Sequence, residues 1–260
     1  LHLADGAAVG AGAAVVPTVP VGLGGVPLAV SHALAAVGGS VSVAVYDGVS
    51  GQTWSANDRS GQVEASISKL QILGAWLRAQ QAGSAATPRV TANLHAMIAE
   101  SSNTAADAIF AVVGRAGLTA FTSALGVTVG ADRQGHFGLD TSSAADQVTI
   151  MRAFAYPNGV LTDASRAEAD ALLGAVEDGQ HWGVSGGVPT GVAVDLKDGW
   201  LPLSSGWVVN SVGHVSGAGH DYVVAILSSG NATEQAGIAR LQAVSAAVWA
   251  TSAVSSSSAS

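Results

Sequence analysis

Segments with strand character fall into two groups in this chain, one near each end, with a long helical interval between them. Near the start, Val41 to Tyr46 and Gln52 to Ser55 flank the Gly-containing turn Asp47-Gly48-Val49-Ser50-Gly51, which predicts a hairpin. Near the end, Val192 to Leu196, Trp207 to Val212 and Tyr222 to Leu227 are joined by Gly-rich turns. Helices are predicted outside both groups, over Pro27 to Val37, stopped by Gly38-Gly39, and over Thr233 to Ala250. In the interval, Ser66 to Gln81 repeats apolar Leu70, Leu73, Trp76 and Leu77 at helical steps. Val90 to Ala99, Thr104 to Val113, Leu118 to Leu125, Ser143 to Ala155 and Asp163 to Val176 read similarly. This order is best satisfied by an α+β fold. A five-stranded antiparallel sheet would be assembled from both ends and flanked by the N- and C-terminal helices, with the middle inserted as an all-helical lobe. The expected bounds are 26–62 plus 180–254 for the α/β lobe and 63–179 for the helical lobe, with terminal extensions at 1–25 and 255–260. A cleft is expected where the lobes meet, a favoured place for a ligand.

Composition narrows the function. Only 11% of residues are charged and the net charge is -8, so no basic stripe is available for nucleic acid or anionic lipid. The absence of cysteine excludes disulfides, thiolate catalysis and Cys-based metal sites. His181, His214 and His220 have no metal-ligand spacing, so neither a metal nor another cofactor is expected. No uninterrupted apolar stretch reaches the ~18 residues of a spanning helix, because Gly and Pro interrupt Ala7 to Val30. The Ala/Gly/Val/Pro-rich beginning without a basic segment reads as the processed start of a secreted or surface protein, monomeric and acting on a small molecule or peptide. The Ser255 to Ser260 run is low-complexity.

The chain has only two lysines, and each lies in a short pattern with chemical meaning. Lys69 closes Ser66-Ile67-Ser68-Lys69, and Lys197 opens Lys197-Asp198-Gly199-Trp200. Lysine, unlike arginine, loses its proton readily when desolvated or placed beside another cation, so it can act as a base. Three residues apart on a helix, Ser66 and Lys69 share a face, and a serine at a helix start also meets unpaired N-H groups. Alone, the pair equally suits a capping serine and a surface lysine. Ser101-Ser102-Asn103, just before a predicted helix, can aim the Ser101 hydroxyl and the Asn103 amide into a cleft. Ser229-Gly230-Asn231 has the same spacing and reads as an ordinary turn. Lys197 falls at the predicted end of a strand, and Gly199 would let a substrate backbone approach the sheet edge. Their joint order raises all three patterns above chance.

In that order the motifs resemble those of the penicillin-recognising serine enzymes, the class A β-lactamases and penicillin-binding proteins, with Ser-x-x-Lys, Ser-Asp-Asn and Lys-Thr-Gly. The similarity extends from about Val26 to Ala250 and includes Ala65 to Leu70, Met97 to Asp107 and Gly117-Leu118-Thr119-Ala120-Phe121. It implies that Ser66 is the acylated nucleophile and Lys69 its proton acceptor or electrostatic partner. It further implies that Ser101 relays a proton to the leaving group, Lys197 supplies positive potential beside Ser101, and Asn103 holds the substrate amide. Asp198, Gly199 and Trp200 would line the substrate site, with the N-H groups of Ser66 and Trp200 as oxyanion hole.

Three departures from the family pattern bear on the substrate. The class A loop glutamate has no counterpart in Val127 to Thr141, where Asp132, His136 and Asp140 read as loop or cap residues, so slow deacylation is expected. Ser102 stands where the family has Asp, and Asp198 where it has Thr or Ser. An ionised Asp198 facing the cleft would repel a substrate carboxylate by about 1 to 4 kcal/mol at ~4 Å. The implied activity is a serine acyl hydrolase acting on an amide or ester, with a β-lactam or cell-wall peptide as candidates. The alternative is a non-catalytic descendant that keeps the fold as a binding or structural module. Trp182, Trp200 and Trp207 suit either the wall of a cleft or ordinary packing.

Overall fold

The computed structural model describes residues 21–252. The extension expected at 255–260, and all of that expected at 1–25 except its last five residues, lie outside the described residues. In chain order the elements are α1 Leu28–Val37, β1 Ser40–Asp47, β2 Thr53–Ala56, β3 Gln62–Val63, α2 Lys69–Gln81, α3 Pro88–Ala99 and α4 Asn103–Ala124. They continue as β4 Thr141–Ser142, α5 Ala144–Ala155, α6 Asp163–Leu173, β5 Ala193–Leu203, β6 Gly206–Gly217, β7 His220–Asn231 and α7 Glu234–Thr251.

The main sheet is antiparallel in the order β2-β1-β7-β6-β5. β1, the first of the described strands, pairs with β7, the last of them, placing Val43 opposite Ile226. Both strands are near-continuous apolar runs, and Val43, Ala44, Val224, Ala225, Ile226 and Leu227 are fully buried. A strand buried at consecutive positions is covered on both faces. α1 and α7 pack together, α7 lies over β6 and β7, and α5 packs on β1, β6 and β7, so these helices cover the sheet, whose strands are buried at consecutive positions. Each fully buried aliphatic side chain in this core contributes about 1.5 to 3 kcal/mol.

α2 is wrapped by α3, α4, α5 and α6. The sequence predicts a one-sided apolar stripe here, but every residue from Lys69 to Leu77 is buried, which marks α2 as the central helix of its lobe. Gly74 makes this packing possible, because a Cβ there would lie 2.2 Å from the Phe121 ring. The helices predicted over Thr104 to Val113 and Leu118 to Leu125 run together as α4, with a break at Gly114, whose φ is 63°. α4 is the one described helix long and apolar enough to cross a membrane by length and composition. It is broken at Gly114 and packs its buried face, including Ala105, Ile109, Leu118 and Phe121, against α2 and α3.

Two differences from the sequence reading position the site. β5 does not end at Leu196 but continues through Lys197, Asp198, Gly199 and Pro202 to Leu203. Because β5 is an edge strand, Pro202 does not break a central ladder. The second is the short β3–β4 pairing, Gln62 with Ser142 and Val63 with Thr141, which ties the chain just before Ser66 to the end of the 127–141 loop.

Candidate active site

Ser66 lies in a tight turn, Ala65–Ser68, that leads directly into α2, rather than in a regular first helical turn. Ala65 enters this turn with φ of 53°. Non-glycine residues rarely adopt that conformation, which costs about 1 to 2 kcal/mol, so the surrounding packing must hold it. The other side of the site repeats the device: Ser101 has φ of 55°. Ser102 then caps α4 by accepting from the Ala105 N-H at 3.3 Å, so the hydroxyl standing in place of a carboxylate still starts the helix.

Folding brings the three separated motifs together. Lys69 Nζ donates to Ser66 Oγ at 2.6 Å and to Asn103 Oδ1 at 2.8 Å, and lies 3.4 Å from Ser101 Oγ. Lys197 Nζ reaches the same Ser101 hydroxyl at 3.0 Å and the Asp198 carbonyl at 3.0 Å. Ser101 therefore stands between two amines, one touching the Ser66 hydroxyl. Both lysines are fully buried. Burial pulls Lys69 down to about 8, against the opposing charge of Asp107. Burial, then the nearby Lys69 charge, pulls Lys197 down to about 7, with Asp198 acting in the other direction. With such a value roughly a tenth of Lys69 is neutral at pH 7, and can accept a proton.

β5 supplies the third wall. Successive residues on a strand face opposite ways, so Lys197 and Gly199 share the face toward Ser66 and Asp198 takes the other. A Cβ on Gly199 would lie 2.7 Å from the Ser66 nitrogen, 2.8 Å from the Ile67 nitrogen and 3.0 Å from the Glu64 carbonyl, so the strand lies directly against the Ser66 backbone. Asn210 on β6, paired with Gly199, fixes the same segment by donating to the Val63 and Glu64 carbonyls at 2.9 and 3.0 Å. Trp200 follows Gly199 and stacks edge-on with Trp182, 5.8 Å between ring centres.

Asp198, expected along the substrate site, is fully buried, with Oδ2 3.4 Å from the Trp182 N-H and Oδ1 without a hydrogen-bond partner. Burial pushes its carboxyl well above the usual range. Buried on the strand face turned away from Ser66, Asp198 does not confront a substrate carboxylate in the cleft. The carboxylates of the 127–141 loop are likewise engaged: Asp140 pairs with Arg115 and accepts from the Asp132 N-H, while Asp132 caps the turn holding His136. Among the described residues no group of three or more His, Cys, Asp or Glu is placed to hold a metal.

The sequence reading did not single out Glu64 or Asn210. Glu64 is fully buried two residues before Ser66, accepts from Gln71 at 2.5 Å and Gln147 at 3.1 Å, and is pushed up to about 8 by burial. The available signal was an acidic residue set between two apolar neighbours, Val63 and Ala65, just ahead of Ser66.

A serine and lysine in contact at the start of a buried helix, a second serine shared by two lysines and a flanking edge strand define the build of a penicillin-recognising serine enzyme. The family model described as the beta-lactamase enzyme family matches residues 85–252, more than half the chain, and the protein belongs to that family. The matched span contains Ser101, Asn103 and Lys197 and begins after Ser66 and Lys69. Among solved structures, a class A β-lactamase from Mycobacterium abscessus is 21% identical with a TM-score of 0.72, covering 85% of this chain and 96% of its own. A β-lactamase from Burkholderia vietnamiensis is 22% identical with a TM-score of 0.72, covering 86% and 96%. A PBP-A variant, solved as an acyl-enzyme complex with penicillin G, is 20% identical with a TM-score of 0.69, covering 81% and 89%. At these identities the likeness shows the fold. No curated protein matches.

Proposed function

We propose that the protein is a serine acyl hydrolase of the β-lactamase and penicillin-binding type that forms an acyl-enzyme on Ser66 from an amide or ester substrate. The observation that carries this reading is the 2.6 Å contact between Lys69 Nζ and Ser66 Oγ, with Lys197 3.0 Å from the Ser101 hydroxyl that faces both. The Ser66 oxygen attacks the carbonyl carbon while its proton passes to neutral Lys69. The N-H groups of Ser66 and Trp200 receive the developing oxyanion, a contribution of about 3 kcal/mol for one such donor. The leaving nitrogen or oxygen takes its proton from Ser101, which is replenished from the lysine pair. Asn103 offers its amide N-H to the substrate, because its oxygen already accepts from Lys69. The buried, turned-away Asp198 supports substrates that carry a carboxylate, which a charged Asp198 in the cleft would disfavour.

The test is intact-mass measurement after incubation with penicillin G, nitrocefin and a p-nitrophenyl ester. The wild type should gain one acyl group, localised to Ser66 by peptide mapping, and Ser66→Ala should gain none. Absence of an adduct with every probe, together with equal background turnover by wild type and Lys69→Ala, would leave the binding-module reading instead.

A further inference from the structure

The acyl-Ser66 reading leaves open which group activates water to release the acyl chain, and α4 carries a candidate on the face turned to the site. Its first residue, Asn103, touches Lys69. Phe110, seven residues on, meets Phe137 with ring centres 5.5 Å apart. Phe137 belongs to the turn Phe137–Leu139, which packs on the Ala65–Ser68 turn that carries Ser66. Residues three and four apart on a helix are neighbours on its surface, so Asp107 lies between Asn103 and Phe110 on this face. One end of the stripe therefore contacts Lys69, the other contacts the loop packed beside Ser66, and Asp107 stands between them.

The state of Asp107 differs from that of the surrounding carboxylates. It is exposed, and its carboxylate makes no hydrogen bond or ion pair among the described residues. Its opposing charge is felt by Lys69. Arg115, on the same helix, is taken by Asp140. Glu64 is enclosed by Gln71 and Gln147, Asp198 is buried facing away from Ser66, and Asp132 holds its own turn. Asp107 is thus an exposed carboxylate one helical turn beyond Asn103, the residue that contacts Lys69.

We infer that Asp107 is the general base of deacylation, resting on the acyl-Ser66 reading above. Asp107 removes a proton from a water molecule as the water oxygen bonds to the acyl carbonyl carbon. The tetrahedral intermediate collapses with cleavage of the bond to Ser66 Oγ, which takes a proton from the Lys69 ammonium. The proton on Asp107 then passes through solvent to the Lys69 amine, restoring both groups, and the acyl chain leaves as a carboxylic acid.

The experiment separates acylation from deacylation with a p-nitrophenyl ester, using the stopped-flow burst for the first and the steady-state rate and acyl-enzyme lifetime by mass for the second. In Asp107→Asn and Asp107→Ala the burst should not slow, because losing the Asp107 charge favours neutral Lys69, while the acyl-enzyme lifetime lengthens at least tenfold. Asp107→Glu should recover part of the rate, and added formate should accelerate deacylation of Asp107→Ala. A structural role would not give formate rescue. Unchanged deacylation in Asp107→Asn with normal acylation overturns the assignment alone. A wild-type acyl-enzyme that turns over no faster than Asp107→Asn does the same. A wild type that forms no Ser66 adduct overturns the acyl-enzyme reading and this assignment with it.

Discussion

Gly199→Ala tests the proposed chemistry at its tightest point. The new methyl carbon would meet the Ser66 and Ile67 nitrogens and the Glu64 carbonyl at 2.7, 2.8 and 3.0 Å, all of them backbone atoms. Ordinary Cβ contacts begin at 3.4 Å, so several tenths of an ångström of relief are needed at each atom. No side chain can rotate to provide it. The Ser66 turn and β5 must separate, and overpacking of this kind costs about 1 to 3 kcal/mol. Because an error of about 1 Å at a reacting group costs on the order of 100-fold, the Ser66 acylation rate should fall roughly 10- to 100-fold. Gly74→Ala is the matched control: its methyl would lie 2.2 Å from the Phe121 ring, a worse clash but inside the helical core. It should lower Tm by at least as much while acylation per folded molecule stays within about threefold. Stopped-flow acylation and thermal melts on both variants measure the contrast. Wild-type acylation by folded Gly199→Ala would refute the reasoning that β5 and the Ser66 backbone are held in contact.

Three further outcomes follow from the charges. The acylation rate should rise with pH with a midpoint near 8, as Lys69 becomes neutral, and Lys69→Arg, permanently protonated, should lose about 100-fold or more; a flat profile from pH 6 to 9.5 contradicts a base at Lys69. Glu64 is raised to about 8 in the fold, so its contribution to stability is fully present below the unfolded value of 4.5 and is lost as pH rises to 8. Glu64→Gln, which stays neutral, should therefore gain in Tm over the wild type between pH 5 and pH 9, and a constant difference would rule out the buried acid. Asp198→Asn should keep penicillin acylation within about threefold, since Asp198 lies on the strand face turned away from Ser66; a large rate increase would mean that Asp198 faces the substrate as an anion.

The parts of the site that could be read from sequence are those set by local spacing. Ser66 and Lys69 meet because three residues of a helical turn bring them to one face, whatever lies around them. The sheet formed from both chain ends was legible for a similar reason, as the strand and helix periods change at recognisable places. β5 was cut short at Leu196 because Lys197, Asp198, Gly199 and Pro202 look like breakers when seen without the sheet. Its edge position tolerates Pro202, and the close packing against Ser66 demands Gly199. The burial of Asp198 was hidden because strand alternation gives opposite faces, not which face meets the site. Asn210 acts on a carbonyl 146 residues away and no local pattern marks it, while Glu64 is marked only by its apolar neighbours Val63 and Ala65. The all-round burial of α2 was similarly invisible, since it depends on four other helices closing over Lys69 and Gln71 as well as over the leucines.

The pairing of Val43 with Ile226 also sets the order in which this molecule can be completed. On a ribosome, β1 and β2 emerge as a hairpin before the other described strands, and β7, which must lie beside β1, is made after all of them. Loop closure over that span is slow compared with forming the helices in between, so those helices can assemble while the hairpin waits. The fragile period in the life of the chain is then the interval before the last strand arrives, when one edge of a half-built sheet is open to other nascent chains.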